Sequence, residues 1–544
     1  MGEPAYDSRP ESRGSRALWG VLFAGVAFLH LYFVPYFPLL NNPNENSRVY
    51  QVRSVVELGK LSVDEQVAAY GGVNDLATKD GKLYTGKAPA TTFLGVPVYA
   101  ALRAVNKGLH RPPLTPFQLL YALRLTTAIL PTLLFLVLFR RFLRRVTASG
   151  TVANALTVIL GLGTILLSYA ILFVNHSTSA ASAFGALMAA DAAVRSNRRF
   201  GSLGWLVLAG FLAGFCVPLD YSLAPVAAML MGFAVWRVGW SWRAVVAVGS
   251  GVAVPAAMTA VYHQLCWGSP FRVSMSYLAN TQFAANAKQG TFGLVGPTAA
   301  SVWGLLFSAT KGLLFFSPVL CLGLVAVVAA AAVSRRSKDA VLSFAVVLWM
   351  LVYGTSLINW DAGWTVGPRY VTVIVPFVVY ALALLWVELG DAARRALLVL
   401  VCGLGMASVV AVVGASLMFP HLQPDFANPL FECVWPLWKD AITPHSVGHW
   451  LVGWRGRMDQ APVVIVVAVM LLYLVSVGAS ACRRGRFGWL KAFGGGMVVV
   501  LIAAGTIVVM QLPRTATPKT VEAGNAWLRG VVWEPKPLRP LLKR

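Results

Sequence analysis

The sequence predicts an all-α polytopic membrane protein, a bundle of about 13 transmembrane helices with further helices at the membrane surface. Of its 544 residues, 57% are hydrophobic and only 12% are charged, and the mean hydropathy is +0.68. Soluble domains carry about 25% charged residues. The apolar runs have the ~20-residue length that a membrane-spanning helix needs, and they lack the alternation typical of a barrel.

The charge pattern supports the same class. The chain has 45 Lys and Arg against 21 Asp and Glu, a net charge of +24. Many of the cations lie in short clusters between apolar spans, which is the positive-inside signal of membrane insertion. No zinc finger, helix-turn-helix or aromatic-interleaved basic groove is visible, so we expect no nucleic-acid partner. Of six cysteines, Cys266 and Cys433 fall in predicted outer loops, which leaves a disulfide between them open.

The spans follow from the loops between them. Residues 1–16 are polar and basic and are expected in the cytoplasm, residues 17–37 form span 1, and a long first outer loop covers 38–116. Within it, the valine spacing of 48–70 indicates an amphipathic surface helix. The short apolar stretch 90–105 is interpreted as a re-entrant or interfacial helix, because a full span would place Arg140–Arg145 outside. The other predicted spans are 117–139, 151–173, 177–194, 203–219, 222–236, 244–264, 317–333, 340–358, 371–387, 396–419, 461–480 and 492–512.

The first candidate site cluster follows span 1. It reads Asn44-Glu45-Asn46-Ser47-Arg48 after Pro43, and a helical start places Glu45 and Arg48 on neighbouring faces. Ionisable groups at a membrane edge are costly unless they have a function. The alternative is a helix cap with a solvated ion pair.

Two further clusters carry candidate chemistry on the same predicted side. Residues 75–87 include Lys82, Tyr84 and Lys87, which suit a lipid phosphate or, alternatively, interfacial anchoring. Residues 359–370 combine tryptophans that stack on sugars, glycines that allow close backbone approach, and an arginine that could instead snorkel. The residues of this third cluster are Trp360, Asp361, Trp364, Arg369 and Tyr370. His176 follows span 3 outside, as an interfacial hydrogen-bonding residue or a substrate contact.

These clusters resemble the GT-C glycosyltransferases, and among them the glycosyltransferase family 39 type, which includes protein O-mannosyltransferases and aminoarabinose transferases. The family's Asp-Glu pair corresponds to Asn44-Glu45, and its Lys-Pro-Pro-like stretch to Lys87-Ala88-Pro89. The resemblance implies a GT-C-like catalytic module over 17–390, variable C-terminal helices over 391–512 with an outer loop at 420–460, and an outer tail at 513–544. It also implies a bacterial inner-membrane enzyme whose site faces the periplasm.

The implied reaction moves a sugar from a polyprenyl phosphate to an acceptor on an envelope lipid, glycan or protein, with inversion. At the position of the family's catalytic aspartate this sequence has Asn44, and an amide does not act as a base at neutral pH. Glu45 is the favoured residue for the role of catalytic base. Alternative bases are Asp361, Asp220 and Asp75, and a further alternative is that the chain is inactive. The residues expected to be catalytic are Glu45 and Asp361, and those expected to bind phosphate or substrate are Asn44, Arg48, Tyr84, Lys87, His176, Trp360, Trp364, Arg369 and Tyr370.

No His, Asp or Glu spacing indicates a fixed metal, so no cofactor is expected, although a divalent ion stays open. Two other function classes remain. A transporter or lipid flippase would need charged or broken helices near the midplane, where Arg124 is the main internal charge. A non-catalytic scaffold would explain Asn44 but would leave the third cluster without a purpose.

Overall fold

The computed structural model describes residues 12–37, 42–196, 199–483, 487–513 and 517–533. Its N-terminal half contains α1 (Arg13–Leu31), β1 (Phe33–Val34), α2 (Pro43–Leu58), α3 (Asp64–Tyr70), β2 (Leu76–Lys79), β3 (Lys82–Thr85), α4 (Ala90–Gly108), α5 (Pro116–Arg124), α6 (Leu130–Thr147), α7 (Gly150–Leu162), α8 (Leu166–Ala170), α9 (His176–Arg195), α10 (Arg199–Leu219), α11 (Ala224–Val238) and α12 (Trp242–Trp267). The expectations for residues 1–11, for the start of the first outer loop and for the tail beyond 533 lie outside the described residues.

The C-terminal half is helical as well, with one short strand. It contains α13 (Thr281–Ala287), α14 (Ala299–Phe307), α15 (Leu313–Phe316), α16 (Leu320–Val333), α17 (Ser337–Ser356), α18 (Val375–Glu388), α19 (Asp391–Met418), α20 (Trp435–Lys439), β4 (His445–Ser446), α21 (Val447–Val452), α22 (Arg457–Cys482), α23 (Gly488–Met510) and α24 (Pro518–Trp533).

Within the described ranges, ten helical segments are long and apolar enough to cross a membrane. They correspond to ten of the predicted spans, and α5 and α6 together form one of them. The other three predicted spans fall on helices that are broken, polar or short: α7 and α8 are separated after Leu162, α9 carries several serines, and α16 has 14 residues. The prediction of a polytopic helical membrane protein is therefore confirmed.

The first outer loop differs in detail from its prediction. Two helices, α2 and α3, replace the single surface helix expected over 48–70, because the chain turns at Gly59 with a left-handed φ of 67°. Helix α2 buries polar residues rather than only valines, including Glu45, Arg48 and Gln51. The interpretation of 90–105 as something other than a span fits α4, which lies against α2 and is not among the ten spanning segments.

Close helix packing builds the bundle around α18, whose residues 375–384 are all buried. Helices α10 and α12 approach most tightly. A Cβ on Gly210 would lie 2.1 Å from the carbonyl oxygen of Val248, and one on Gly251 would lie 2.0 Å from that of Val207. Small residues at such crossings let two backbones come together in the membrane.

A buried charge network, which we call the clasp, links several helices to one another at one end of the bundle. It consists of Asp191 on α9, Arg237 on α11, Arg336 and Asp339 at the start of α17, and Tyr380 on α18. Arg336 donates to both carboxylates at 2.8 Å, and the Tyr380 hydroxyl donates to Asp339 at 2.7 Å. The clasp pairs charges that membrane burial makes costly, and it fixes the helices relative to one another.

The C-terminal part is attached to the N-terminal part through the chain after α1. Strand β1 pairs antiparallel with β4, and Asp459 accepts hydrogen bonds from Tyr32 at 2.9 Å and from Ser446 at 2.5 Å. Cys266 and Cys433 are both buried and free, so the disulfide left open above does not form.

Candidate active site

The site is built at the end of the bundle away from the clasp. Helix α9 connects the two, because it begins at His176 and reaches the clasp at Asp191. A helix rises about 1.5 Å per residue, so the site and the clasp lie about 22 Å apart along α9. Three segments meet at its N-terminal end: α2, the β2–β3 hairpin and the turn that begins at Arg369.

Glu45 anchors α2 to the bundle. Each of its carboxylate oxygens accepts two hydrogen bonds, at 2.8 and 2.7 Å from Arg124, 2.6 Å from the Phe173 amide and 2.8 Å from Asn42. Burial raises the pKa of this carboxyl, but the charge and hydrogen bonds of Arg124 outweigh that effect and hold the pKa below its ordinary value. The geometry therefore does not suit the expected role of base, because no lone pair is left to take a proton. Arg124, the charge noted inside span 2, is its partner.

Arg48 lies one turn further along α2 and is nearly fully buried. Its guanidinium donates to the carbonyl and the side-chain oxygen of Asn44, and at 2.9 Å to the side-chain oxygen of Asn175. Asn175 in turn donates at 3.0 Å to Asp220. Burial lowers the pKa of Arg48 to about 10, against the opposing charges of Asp75 and Asp220, so the side chain stays a cation at neutral pH. Asn44 thus orients a cation.

A tight hairpin brings Asp75 and Lys87 together. Strands β2 and β3 are joined by Asp80 and Gly81, both with left-handed φ angles, 52° and 72°. This is the turn that a two-residue hairpin favours. The two side chains flank the open end of the hairpin, where Lys87 lies 3.0 Å from Asp75. Burial raises the pKa of Asp75, but Lys87, Arg369 and Arg48 hold it below its usual range.

Arg369 and His176 complete the polar cluster. Arg369 begins a 3₁₀ turn and lies over the Tyr370 ring, 5.2 Å from its centre. His176 packs edge-on against Tyr169, with the ring centres 5.1 Å apart. Arg48, Lys87 and Arg369 all interact electrostatically with His176. We call these four residues, with Asp75, Asn175 and Asp220, the polar cavity.

Other predicted site residues lie elsewhere. Tyr84 packs on Trp267, 5.3 Å between ring centres. Trp360 lies against Gly304, where a Cβ would collide with its ring, so its position serves packing. Trp364 is exposed beside Trp527, and the half-buried Asp361 interacts electrostatically with Lys311 rather than with Arg48.

Lys311 is a buried cation that the sequence analysis missed. Its ammonium donates to the carbonyl oxygens of Gly363, Thr365 and Leu422, so it ties the loop of the third cluster to the chain after α19. Burial lowers its pKa to about 7. It is the one charged residue between Lys288 and Arg335 in the sequence. A single charge beside an apolar span could have identified Lys311 as a functional or structural residue.

Asn175, which bridges Arg48 and Asp220, was missed too, because its side chain has no charge to stand out. Among the described residues, no three His, Cys, Asp or Glu side chains lie together in a way that could hold a metal ion.

No protein-family model matches the chain, and no curated protein matches its sequence. Solved structures do resemble it. ArnT from Cupriavidus metallidurans is 16% identical over 95% of this chain and 77% of its own, with a TM-score of 0.48. The oligosaccharyltransferase of Archaeoglobus fulgidus is 13% identical over 75% and 56%, with a TM-score of 0.44. The arabinosyltransferase EmbB of Mycobacterium smegmatis is 15% identical over 96% and 44%, with a TM-score of 0.40.

All three are GT-C glycosyltransferases, the superfamily that the sequence resembles. Because every TM-score lies below 0.5 and every identity below 25%, these matches decide nothing about the activity of this chain.

Proposed function

We propose that the protein is a membrane glycosyltransferase that moves a sugar from a polyprenyl phosphate to a hydroxyl or amine of an envelope lipid, glycan or protein, with inversion. One observation carries the proposal. Three cations, Arg48, Lys87 and Arg369, lie around His176. Among the described residues, the carboxylates that interact with these cations are Asp75, Asp220 and Glu45, and Glu45 is already paired with Arg124. The polar cavity therefore holds one positive charge in excess.

Unsatisfied donors point to the same ligand chemistry. Buried side-chain nitrogens of Arg48, Arg369 and His176 have no hydrogen-bond partner within the described residues. Unpaired buried polar groups are rare in folded proteins, and water or a ligand commonly supplies the partner that the protein lacks. Arginine forks and a lysine together suit the oxygens of a phosphate.

Such a site matches the chemistry of the leaving group. When an acceptor oxygen attacks the anomeric carbon, the bond from that carbon to the phosphate oxygen breaks, and the polyprenyl phosphate departs with the electron pair. Cations placed around that phosphate stabilise the charge as it develops. Arg48, Lys87 and Arg369 take this role.

The position of the site supports a lipid-linked donor. The described arginine clusters Arg140–Arg145 and Arg335–Arg336 lie at the clasp end, which the positive-inside rule places in the cytoplasm. The polar cavity then faces the periplasm of a bacterial inner membrane. Nucleotide sugars are made in the cytoplasm, so a carrier lipid is the donor that can reach it.

The experiment uses the full chain in proteoliposomes. It offers radiolabelled polyprenyl-phosphate mannose, glucose, galactose and arabinose, the matching nucleotide sugars, and an acceptor extract of bacterial envelopes. We expect transfer from a lipid-linked sugar only, and a loss of roughly 10²–10³-fold in Arg369→Gln. Arg335→Gln is the matched control, since that exposed arginine pairs with Glu388 at the clasp end. Direct use of a nucleotide sugar, or full activity in Arg369→Gln, would overturn the proposal.

A further inference from the structure

Transfer to a hydroxyl requires a group that removes its proton, and the residues at the family's position do not provide one. The side chain of Asn44 is an amide that accepts from Arg48, and both oxygens of Glu45 are occupied by donors. If the proposed function is correct, another carboxylate in the polar cavity must act as base.

Asp220 differs from the other carboxylates there in its partners. It lies between α10 and α11, and no cation comes within ion-pair distance of it in the part of the chain that the structure describes. Its Oδ1 accepts from the Ser222 amide at 3.1 Å and from the Ser222 hydroxyl at 2.7 Å. Among the described residues, its Oδ2 accepts only from Asn175, at 3.0 Å, and so keeps a free lone pair.

The neighbouring carboxylates are less suited to accept a proton. Glu45 is bound by Arg124, and Asp75 is paired with Lys87 at 3.0 Å, which favours the ionised form. Asp361 interacts with Lys311 outside the polar cavity. Asp220 is half-buried, and the amide of Asn175 separates it from the Arg48 guanidinium. This bridge places a basic oxygen one residue away from a phosphate-binding cation without neutralising it.

We propose that Asp220 is the general base of the transfer. Its Oδ2 takes the proton of the acceptor hydroxyl while the acceptor oxygen forms a bond to the anomeric carbon. The bond from that carbon to the phosphate oxygen breaks, and the electron pair leaves with the polyprenyl phosphate held by Arg48, Lys87 and Arg369. Asn175 and Ser222 are positioning residues that fix the plane of the carboxylate.

The test compares Asp220→Asn, Asp75→Asn and Glu45→Gln with Asp440→Asn, a matched control at an exposed aspartate paired with Arg529. Two quantities are measured in the proteoliposome assay: kcat for sugar transfer, and the affinity for undecaprenyl phosphate, taken from its inhibition of transfer or, for slow variants, from direct binding. A base contributes typically 10²–10⁴-fold. We expect Asp220→Asn to lose at least ~10² in kcat while the undecaprenyl phosphate affinity stays within ~3-fold, and Asp440→Asn to match the wild type.

Other results separate this proposal from the proposed function. Transfer by Asp220→Asn within a few-fold of wild type, or equal losses in kcat and affinity, would overturn the role of Asp220 and leave the glycosyltransferase intact. A wild-type protein that transfers nothing from any lipid-linked sugar would overturn both. Should Asp220→Asn fail to accumulate, Asp220→Ala is assayed with added formate. Partial return of turnover is expected, and its absence would count against the base.

Discussion

Glu45 and Asp220 both carry a carboxylate, but the charges beside them differ. Arg124 binds Glu45 through a fork and makes it a poor proton acceptor at neutral pH, whereas Asn175 and Ser222 orient Asp220 without a counter-charge. A buried ion pair is costly to break because the remaining charge has no solvent. At the residue scale, Glu45 therefore belongs to the stability of the site.

Glu45→Gln should destabilise the protein by about 3–5 kcal/mol, because it leaves the Arg124 guanidinium buried without a counter-charge. Thermal unfolding in detergent measures the change. Glu65→Gln is the control, since Glu65 forms an exposed pair with Lys60 and should leave the unfolding temperature almost unchanged. Similar unfolding temperatures for Glu45→Gln and the wild type would contradict the anchoring role.

The same residue predicts a pH dependence. The pKa of Glu45 is lower in the folded protein than its ordinary value, so its contribution to stability is present above that ordinary value and is lost as the pH falls through the folded pKa. The wild type should lose more stability than Glu45→Gln between about pH 6 and pH 3. Unfolding temperatures of both proteins measured across this pH range test the prediction. Parallel curves of unfolding temperature against pH would refute it.

At the scale of elements, the β2–β3 hairpin positions Asp75 and Lys87, although neither strand contributes to the bundle. Its geometry depends on the left-handed turn at Asp80 and Gly81. The Gly86 amide donates to the Asp75 carbonyl at 2.8 Å and closes the open end. The position of Lys87, which we propose binds the donor phosphate, is thus set by a turn six residues away.

Gly81→Ala should loosen the hairpin, because a left-handed backbone costs an L-residue about 1 kcal/mol or more. Amide hydrogen exchange in residues 76–85 should accelerate about fivefold or more. Gly72→Ala is the matched control: its φ is not left-handed, and a Cβ there meets no atom within 4 Å. Unchanged exchange in Gly81→Ala would show that the turn does not hold the hairpin.

The whole molecule is a membrane bundle with the clasp at one end and the polar cavity at the other, linked by α9. This arrangement and the positive-inside rule together predict how the bundle is oriented in the membrane. Arg141 and Asp361 lie at opposite ends of the bundle, so their accessibility indicates the orientation of the protein in the membrane.

Single cysteines at Arg141 and Asp361, in a background whose native cysteines are replaced, test that orientation. A membrane-impermeant thiol reagent on intact cells should label Asp361→Cys and spare Arg141→Cys, which should react only after permeabilisation. Labelling of both positions from the same side would break the assignment of spans and, with it, the periplasmic placement of the site.

The sequence by itself determined the membrane class and the positions of most spans, because apolar length and arginine clusters are local properties that the bilayer acts on directly. It also indicated that Arg48, Lys87 and Arg369 share a site, through a resemblance that joins distant segments. The Asp80-Gly81 pair could have revealed the hairpin as well, since that dipeptide favours a two-residue turn.

Only the tertiary structure decided which charges pair. Arg124 lies 79 residues from Glu45, and Asn175 lies 127 from Arg48 and 45 from Asp220. Whether a carboxylate is neutralised or left free depends on neighbours within a few ångströms, because charges interact strongly at that range inside a protein. Spacing along the chain does not contain this information, so the sequence favoured Glu45 where the folded protein leaves Asp220 free.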